Sequence, residues 1–358
     1  MKKVWIIILI ITLTGLMLSI IGIATGANRT LYLDKTGVHI SGSTVSIVEE
    51  SNLEAFREIY VDVSFSDIEI LRSDTFGIEL YGENVEWDWT LEEDHDNYRI
   101  LKITDTGELR VPILHFDFDQ KQQNFVKIYL PENLTNDNKP YVVDLKTGSG
   151  NIRLGGFNLT GVKISNSFGN VDIETMVVGG MFIDLKSGNF NGSNLLVSNF
   201  KYSNQFGDGH FESVRVMHFT AESNSGDLHF TQCEFGIDYG DWEREADAPV
   251  MKITSGFGNI NARDLISWEA NIEAGSGNIN IAGEFFYKTV IESRFGDVKL
   301  TTSRGKDEYS LDVSVKFGNI TINGERLRDQ TSIVSGSVLE NHIEITSSSG
   351  DVEVTFGN

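Results

Sequence analysis

Ten Gly-Asn or Gly-Asp pairs recur along this chain at a nearly constant interval, and that interval restricts the fold more than any other feature. The glycines are Gly150, Gly169, Gly188, Gly207, Gly226, Gly258, Gly277, Gly296, Gly318 and Gly350. Their successive spacings are 19, 19, 19, 19, 32, 19, 19, 22 and 32 residues. The three exceptions are all longer, as insertions into a structural repeat are.

The apolar pattern around each glycine is fixed. Two and four residues after it lie pairs such as Ile152/Leu154, Val171/Ile173, Ile279/Ile281 and Val352/Val354. Seven and five residues before it lie Val143/Leu145, Val162/Ile164, Leu311/Val313 and Ile343/Ile345. The residue inside each pair is mostly polar. Strict period-two alternation in runs rich in β-branched residues specifies strands with one buried face. Each unit therefore carries two short strands around one Gly-Asn/Asp corner. One unit cannot bury its apolar face alone, but stacked units can. The fold expected is all-β, a single-stranded parallel β-helix (β-solenoid) with rungs of about 19 residues, right-handed because parallel crossovers almost always are.

The corner chemistry follows. Glycine permits positive φ or close backbone approach. Asn and Asp suit turns, and stacked Asn side chains form amide ladders. Asp208 and Asp227 fall on neighbouring rungs, so that ladder is expected to weaken there. The residue before each glycine is either Ser (149, 187, 225, 276, 349) or Phe (168, 206, 257, 295, 317). Large and small side chains alternating along one column fill space without clashes, and packing accounts for the pattern. The alternative is a stacking surface for a ligand.

Residues 28–140 are less regular and read as an irregular β-rich cap with the first rungs, ahead of solenoid repeats over 141–358. The stretch 59–74 reads as a degenerate rung with a Ser-Asp corner. Residues 98–104 and 125–131 alternate as strands, 87–97 and 114–124 read as polar loops, and Ser51 with Glu54 fits the capping box of a short helix over 51–58.

Residues 1–27 read as a membrane anchor or a signal peptide. Lys2 and Lys3 precede 21 uncharged residues, 4–24, which as a helix reach about 30 Å, one bilayer core. An uncleaved single-pass anchor is favoured because a signal peptide has a shorter apolar core. The two lysines then stay in the cytoplasm and the bulk of the chain lies outside. Without them 27 basic residues face 52 acidic ones, a net −25. Such a charge repels nucleic acid and anionic head groups alike. A single cysteine, Cys233, rules out an internal disulfide and a CxxC zinc site, and reads as a small buried hydrophobe.

The apolar anchor, the strand pair "IYVDVSFSDIEI" and the run of "SGNI", "SGDL" and "FGDV" repeats resemble the bacterial "putative adhesin" family of DUF4097-like domains. The resemblance covers roughly residues 55–358. It implies a surface-facing β-solenoid, in some relatives linked to cell-envelope stress, and no catalytic residues to carry over.

The insertion between Gly226 and Gly258 holds the candidate partner contact. Residues 236–249 place Asp238, Asp241, Glu243, Glu245 and Asp247 around Tyr239 and Trp242. A wall polymer or protein ligand is the expected partner; the Asp spacing fits no Ca²⁺ loop, and a solvated acidic loop is the plainer reading. The second long insertion, 323–342, is mixed in charge. Asp117 and Asp119 alternate on one strand face as a carboxylate pair in a carbohydrate-active enzyme would, which is the alternative function. His210 and His229 are 19 apart and should stack, outward, in adjacent rungs, with a metal pair the sharper reading. No catalytic, cofactor-binding or metal-ligating residue is assigned, and no cofactor. The expected function is a membrane-anchored, extracytoplasmic, non-enzymatic binding or scaffold protein.

Overall fold

The structure, a computed structural model, describes residues 11–17, 30–34, 37–41, 45–83, 85–93, 98–106, 111–115, 123–131, 141–236, 251–327, 330–334 and 341–357. Through the repeat, each rung pairs with the next in parallel and in register: Ile164 opposite Ile183, Ile183 opposite Tyr202, Ile253 opposite Ile272. Strand alternation points every second residue inward, so like positions on successive rungs form continuous columns. Ile164, Ile272 and Val313 lie in that interior, at most 1% exposed. Each fully buried aliphatic side chain contributes roughly 1.5–3 kcal/mol, and stacking is what lets a unit this small collect it.

The rung has one more corner region than the sequence pattern suggests. In Val171–Ser187 the alternation runs Val171, Ile173, then slips to Met176, Val178, then slips again to Met181, Ile183, Leu185. Two slips plus the Gly-Asn corner divide each turn into three short faces. The middle face carries Met176/Val178, Leu195/Val197 and Val214/Val216, all buried. Cys233 continues this column and is fully buried, as a small hydrophobe should be; burial pushes its thiol up to about 11.

At the Gly-Asn corner, steric closeness decides the residue. Gly188 has φ +139, and a Cβ there would sit 1.9 Å from the carbonyl oxygen of Gly169. The ladder beside it differs from the amide ladder expected. The side-chain oxygen at each corner accepts the backbone N–H of the next corner residue, at 2.6–3.0 Å from Asp67 through Asn319. A carboxylate supplies that oxygen as well as an amide does. The step from Asp208 to Asp227 is therefore intact at 2.8 Å, and the expected weakness there is absent. Inside the corner a buried polar column satisfies the glycine carbonyls: Asn166 donates to Gly150 O at 2.9 Å, Asn204 to Gly188 O and Gly207 O at 3.0 Å, and Ser293 to Gly296 O at 3.3 Å.

Spatial order departs from chain order at both ends. The strands Glu58–Phe65 and Asp67–Ser73 form the degenerate rung, with Ser66 at the corner, and stack directly on the Gly150 rung. The later strands Arg99–Asp105 and Phe125–Pro131 stack outside them. At the other end His342–Ser349 pairs with Ile279–Phe295 on one side and Ser310–Phe317 on the other. The Gly350 rung thus lies between those of Gly296 and Gly318. Antiparallel strands close both outer edges. Trp87–Glu93 and Gly77–Glu83 cover one end, and Gln330–Val334 and Glu325–Leu327 cover the other. Eight residues of the second insertion, 323–342, are therefore edge cover, which withdraws unpaired ladder groups from other chains.

Two expectations fail here and a third is left without support. Trp87–Glu93 is a strand, because Trp87, Trp89 and Leu91 alternate onto the core. Residues 51–58 form no helix: Phe56 is fully buried, its ring 4.8 Å from Phe76, which ties the irregular segment to the core. The expected span at 4–24 is not supported either. Residues 11–17 are helical, and among the described residues no helix is long and apolar enough to cross a membrane; the remainder of 4–24 lies outside the described residues.

Candidate binding surface

The phenylalanines before the corner glycines do not fill the interior. Phe65, Phe168, Phe206, Phe257, Phe295 and Phe317 point outward and are 49–66% exposed. The expected alternating column is present, but it lies on the outer surface, so packing within it leaves the rings largely exposed. They share one column with the serines. Register places Phe65 beside Ser149, then Phe168, Ser187, Phe206, Ser225, Phe257, Ser276 and Phe295. Chain order would next put Phe317 beside Phe295. The inserted rung puts Ser349 between them instead, so the alternation holds without a break over eleven levels, the ten glycine corners plus Ser66. With rungs about 4.8 Å apart, rings recur about every 10 Å with a serine notch between them.

A second surface lies at the next corner. Thr175, Asn194, Ser213, Gln232 and Asp264, each six residues after a corner glycine, adopt φ of 53–55°, and Gly156 opens the column at 82°. Beside them runs an open groove of about 850 Å³, whose lining includes Arg215, Glu234 and the half-exposed Val177. Arg215 Nε lies 3.1 Å from Glu234 Oε2, so the groove's cation is neutralised in place. Sequence reading missed this column because its residues share only a conformation; the usable signal was a polar residue at the sixth position just before an apolar pair.

His210 and His229 stack as expected, centroids 4.7 Å apart and 12° from parallel. Burial, and next the neighbouring His229, hold His210 below the usual imidazole range, against the pull of Asp208. Two stacked rings present faces to each other rather than converging nitrogens. Among the described residues no group of three or more His, Cys, Asp or Glu is placed to hold a metal ion. Asp117, Asp119 and residues 237–249 lie outside the described residues. On either side of residues 237–250 the strands stay in register with the preceding rung: Val216 lies opposite Phe235 and Phe219 opposite Met251.

These features define a β-solenoid that presents side chains from its outer faces and corners. The chain belongs to the Toastrack DUF4097 family, whose model matches residues 56–355. Among solved structures it is similar to a "putative cell adhesion protein" from Clostridium sporogenes, at 11% identity over 88% of this chain and 99% of that one, with a TM-score of 0.18. It is similar to a "putative adhesin" from Parabacteroides merdae, at 12% identity over 87% and 96%, TM-score 0.32. A "putative lipid binding protein" from Parabacteroides distasonis shares 10% identity over 87% and 96%, TM-score 0.27. No curated protein matches the chain.

Proposed function

We propose that the chain is a non-enzymatic, extracytoplasmic scaffold, held at the cell membrane by residues 4–24, that presents residues 236–249 to a wall polymer or protein at the cell envelope. The observation that carries this reading is the undisturbed stack around the insertion. The repeat carries thirteen extra residues between Gly236 and Met251, while the strands on either side remain paired with the following rung, Phe235 opposite Ser267 and Met251 opposite Ala270. A segment added to a rigid framework at no expense to its pairing is the usual arrangement of a binding loop. The acidic exterior and the aromatic pair Tyr239 and Trp242 suit a sugar-rich or cationic partner. The anchor rests on the uncharged run behind Lys2 and Lys3.

Co-sedimentation with insoluble wall polymer tests the proposal. The full chain should pellet, and a variant with 237–249 replaced by a short Gly-Ser link should stay in the supernatant with its melting temperature unchanged. Equal pelleting of both overturns the loop as the contact. Shortening of the polymer, abolished by Asp117→Asn, replaces the scaffold with the enzyme.

A further inference from the structure

We infer that the Phe/Ser column is a homodimer interface, in which two copies pack their columns antiparallel so that the rings of each enter the serine notches of the other. The inference is independent of what the 236–249 loop binds.

Area comes first. A phenylalanine side chain offers roughly 150–250 Å². At the observed exposures of 49–66%, six rings leave roughly 500–900 Å² of apolar surface in one line. The largest apolar patch on an ordinary monomer is roughly 300–600 Å², and a stable interface takes about 800 Å² from each partner. The column thus lies at or above the largest ordinary patch, and the upper end of its range reaches what a dimer needs.

Shape then selects the partner. Any surface that covers the column must carry notches about 10 Å apart along a straight line, two rung spacings, and the described structure contains one such surface, the column itself. Counting levels from Phe65 as 1 to Phe317 as 11, rings occupy odd levels and serines even ones. A twofold axis perpendicular to the stack sets level k against level 11 − k or 13 − k of the other copy. Both registers place rings opposite serines. The isologous contact closes on itself and leaves no open end for further copies. The C-terminal rung supports the same reading, because its insertion puts Ser349 at the level where Phe317 would otherwise abut Phe295. At −23 per chain, copies repel, so association here is apolar and strengthens with salt as the repulsion is screened.

Ser225 is level 6, within one rung of the axis in either register, whereas Ser149 is level 2. A short bismaleimide added to the purified full chain should therefore link two copies through Ser225→Cys and not through Ser149→Cys. Native Cys233 is buried and does not compete. Sedimentation over a dilution series should show a dimer, tighter at higher salt. Phe206→Ser with Phe257→Ser should raise its dissociation constant about 10-fold or more, with melting temperature at high dilution unchanged because both rings are exposed. A chain that stays monomeric and fails to cross-link through Ser225→Cys overturns the inference. So does equal cross-linking from Ser149→Cys, or a monomer whose rings take up a β-linked oligosaccharide instead.

Discussion

The two best-defined corners of the rung solve the same problem in opposite ways. Both turn the chain through backbone conformations at positive φ. At the first, successive backbones approach so closely that a Cβ on Gly169, Gly188 or Gly207 would lie 1.9–2.2 Å from the carbonyl below. Only glycine fits, and the corner is written plainly in the sequence. At the second, Thr175, Asn194, Ser213, Gln232 and Asp264 take nearly the same left-handed angles with side chains turned outward. The register on either side holds them there, Glu174 opposite Ser193 and Met176 opposite Leu195. Left-handed backbone costs a side chain about 1–2 kcal/mol, and neighbours that over-determine the geometry absorb it. A fold can thus enforce a conformation by excluding side chains or by outvoting them, and the first leaves the plainer sequence signal.

The largest test of that contrast is Gly188→Ala. With the added methyl overlapping a backbone carbonyl, it should destabilise by more than about 4 kcal/mol, read as a loss of cooperative urea unfolding or a fall in its midpoint. A tolerated Gly188→Ala would mean the rungs sit farther apart than described. Next, Asp208→Ala removes the acceptor for the Asp227 N–H and should cost about 1–3 kcal/mol. Asp208→Asn should stay within about 0.5 kcal/mol of the parent, since either side chain offers the oxygen. A large loss on Asp208→Asn would show that charge, rather than an acceptor, matters at that step. At the second corner the sign reverses. Thr175→Gly should raise stability by up to about 1 kcal/mol, because a β-branched residue gives up a left-handed conformation.

The smallest effect concerns His210, midway between the two corners. Its folded pKa is depressed, chiefly by burial and then by His229. The unfolded chain therefore binds the proton more readily, and stability fully present above about pH 6.5 is lost as the pH falls below that value through the depressed folded pKa. His210→Asn, matching its column neighbour Asn191 across the rung, should flatten that part of the stability profile. An unchanged profile assigns the acid sensitivity elsewhere.

What could be read from the sequence follows the same logic. The parallel stack, the buried columns and Ser66 as a stand-in corner were legible because steric exclusion and period-two burial constrain residue type directly. The order of the end rungs was not, because Ile343 and Val352 obey the same pattern wherever their rung sits. Trp87–Glu93 was misread as loop because its outward positions, Asp88, Thr90 and Glu92, dominate its composition while three inward rings and chains make the strand. The Phe/Ser alternation was visible but its direction was not: a residue beside a tight corner escapes the simple inward-outward count. In chain order the alternation fails at Phe295 and Phe317, and only the spatial order of rungs restores it.

That spatial order is the central claim, and paired cysteines test it. Lys299 lies opposite Glu353, and Thr321 lies opposite Glu353 on the other side. Lys299→Cys with Glu353→Cys places two thiols on adjacent rungs, about 4.8 Å apart at the backbone and inside the roughly 4.4–6.8 Å a disulfide spans. Lys299→Cys with Thr321→Cys places them two rungs apart, about 10 Å. Oxidation should close an intramolecular disulfide in the first pair and not in the second, seen by gel shift and mass. Closure in the second pair and not the first would mean the rungs stack in chain order, and both the inserted C-terminal rung and the unbroken Phe/Ser column would fall with it.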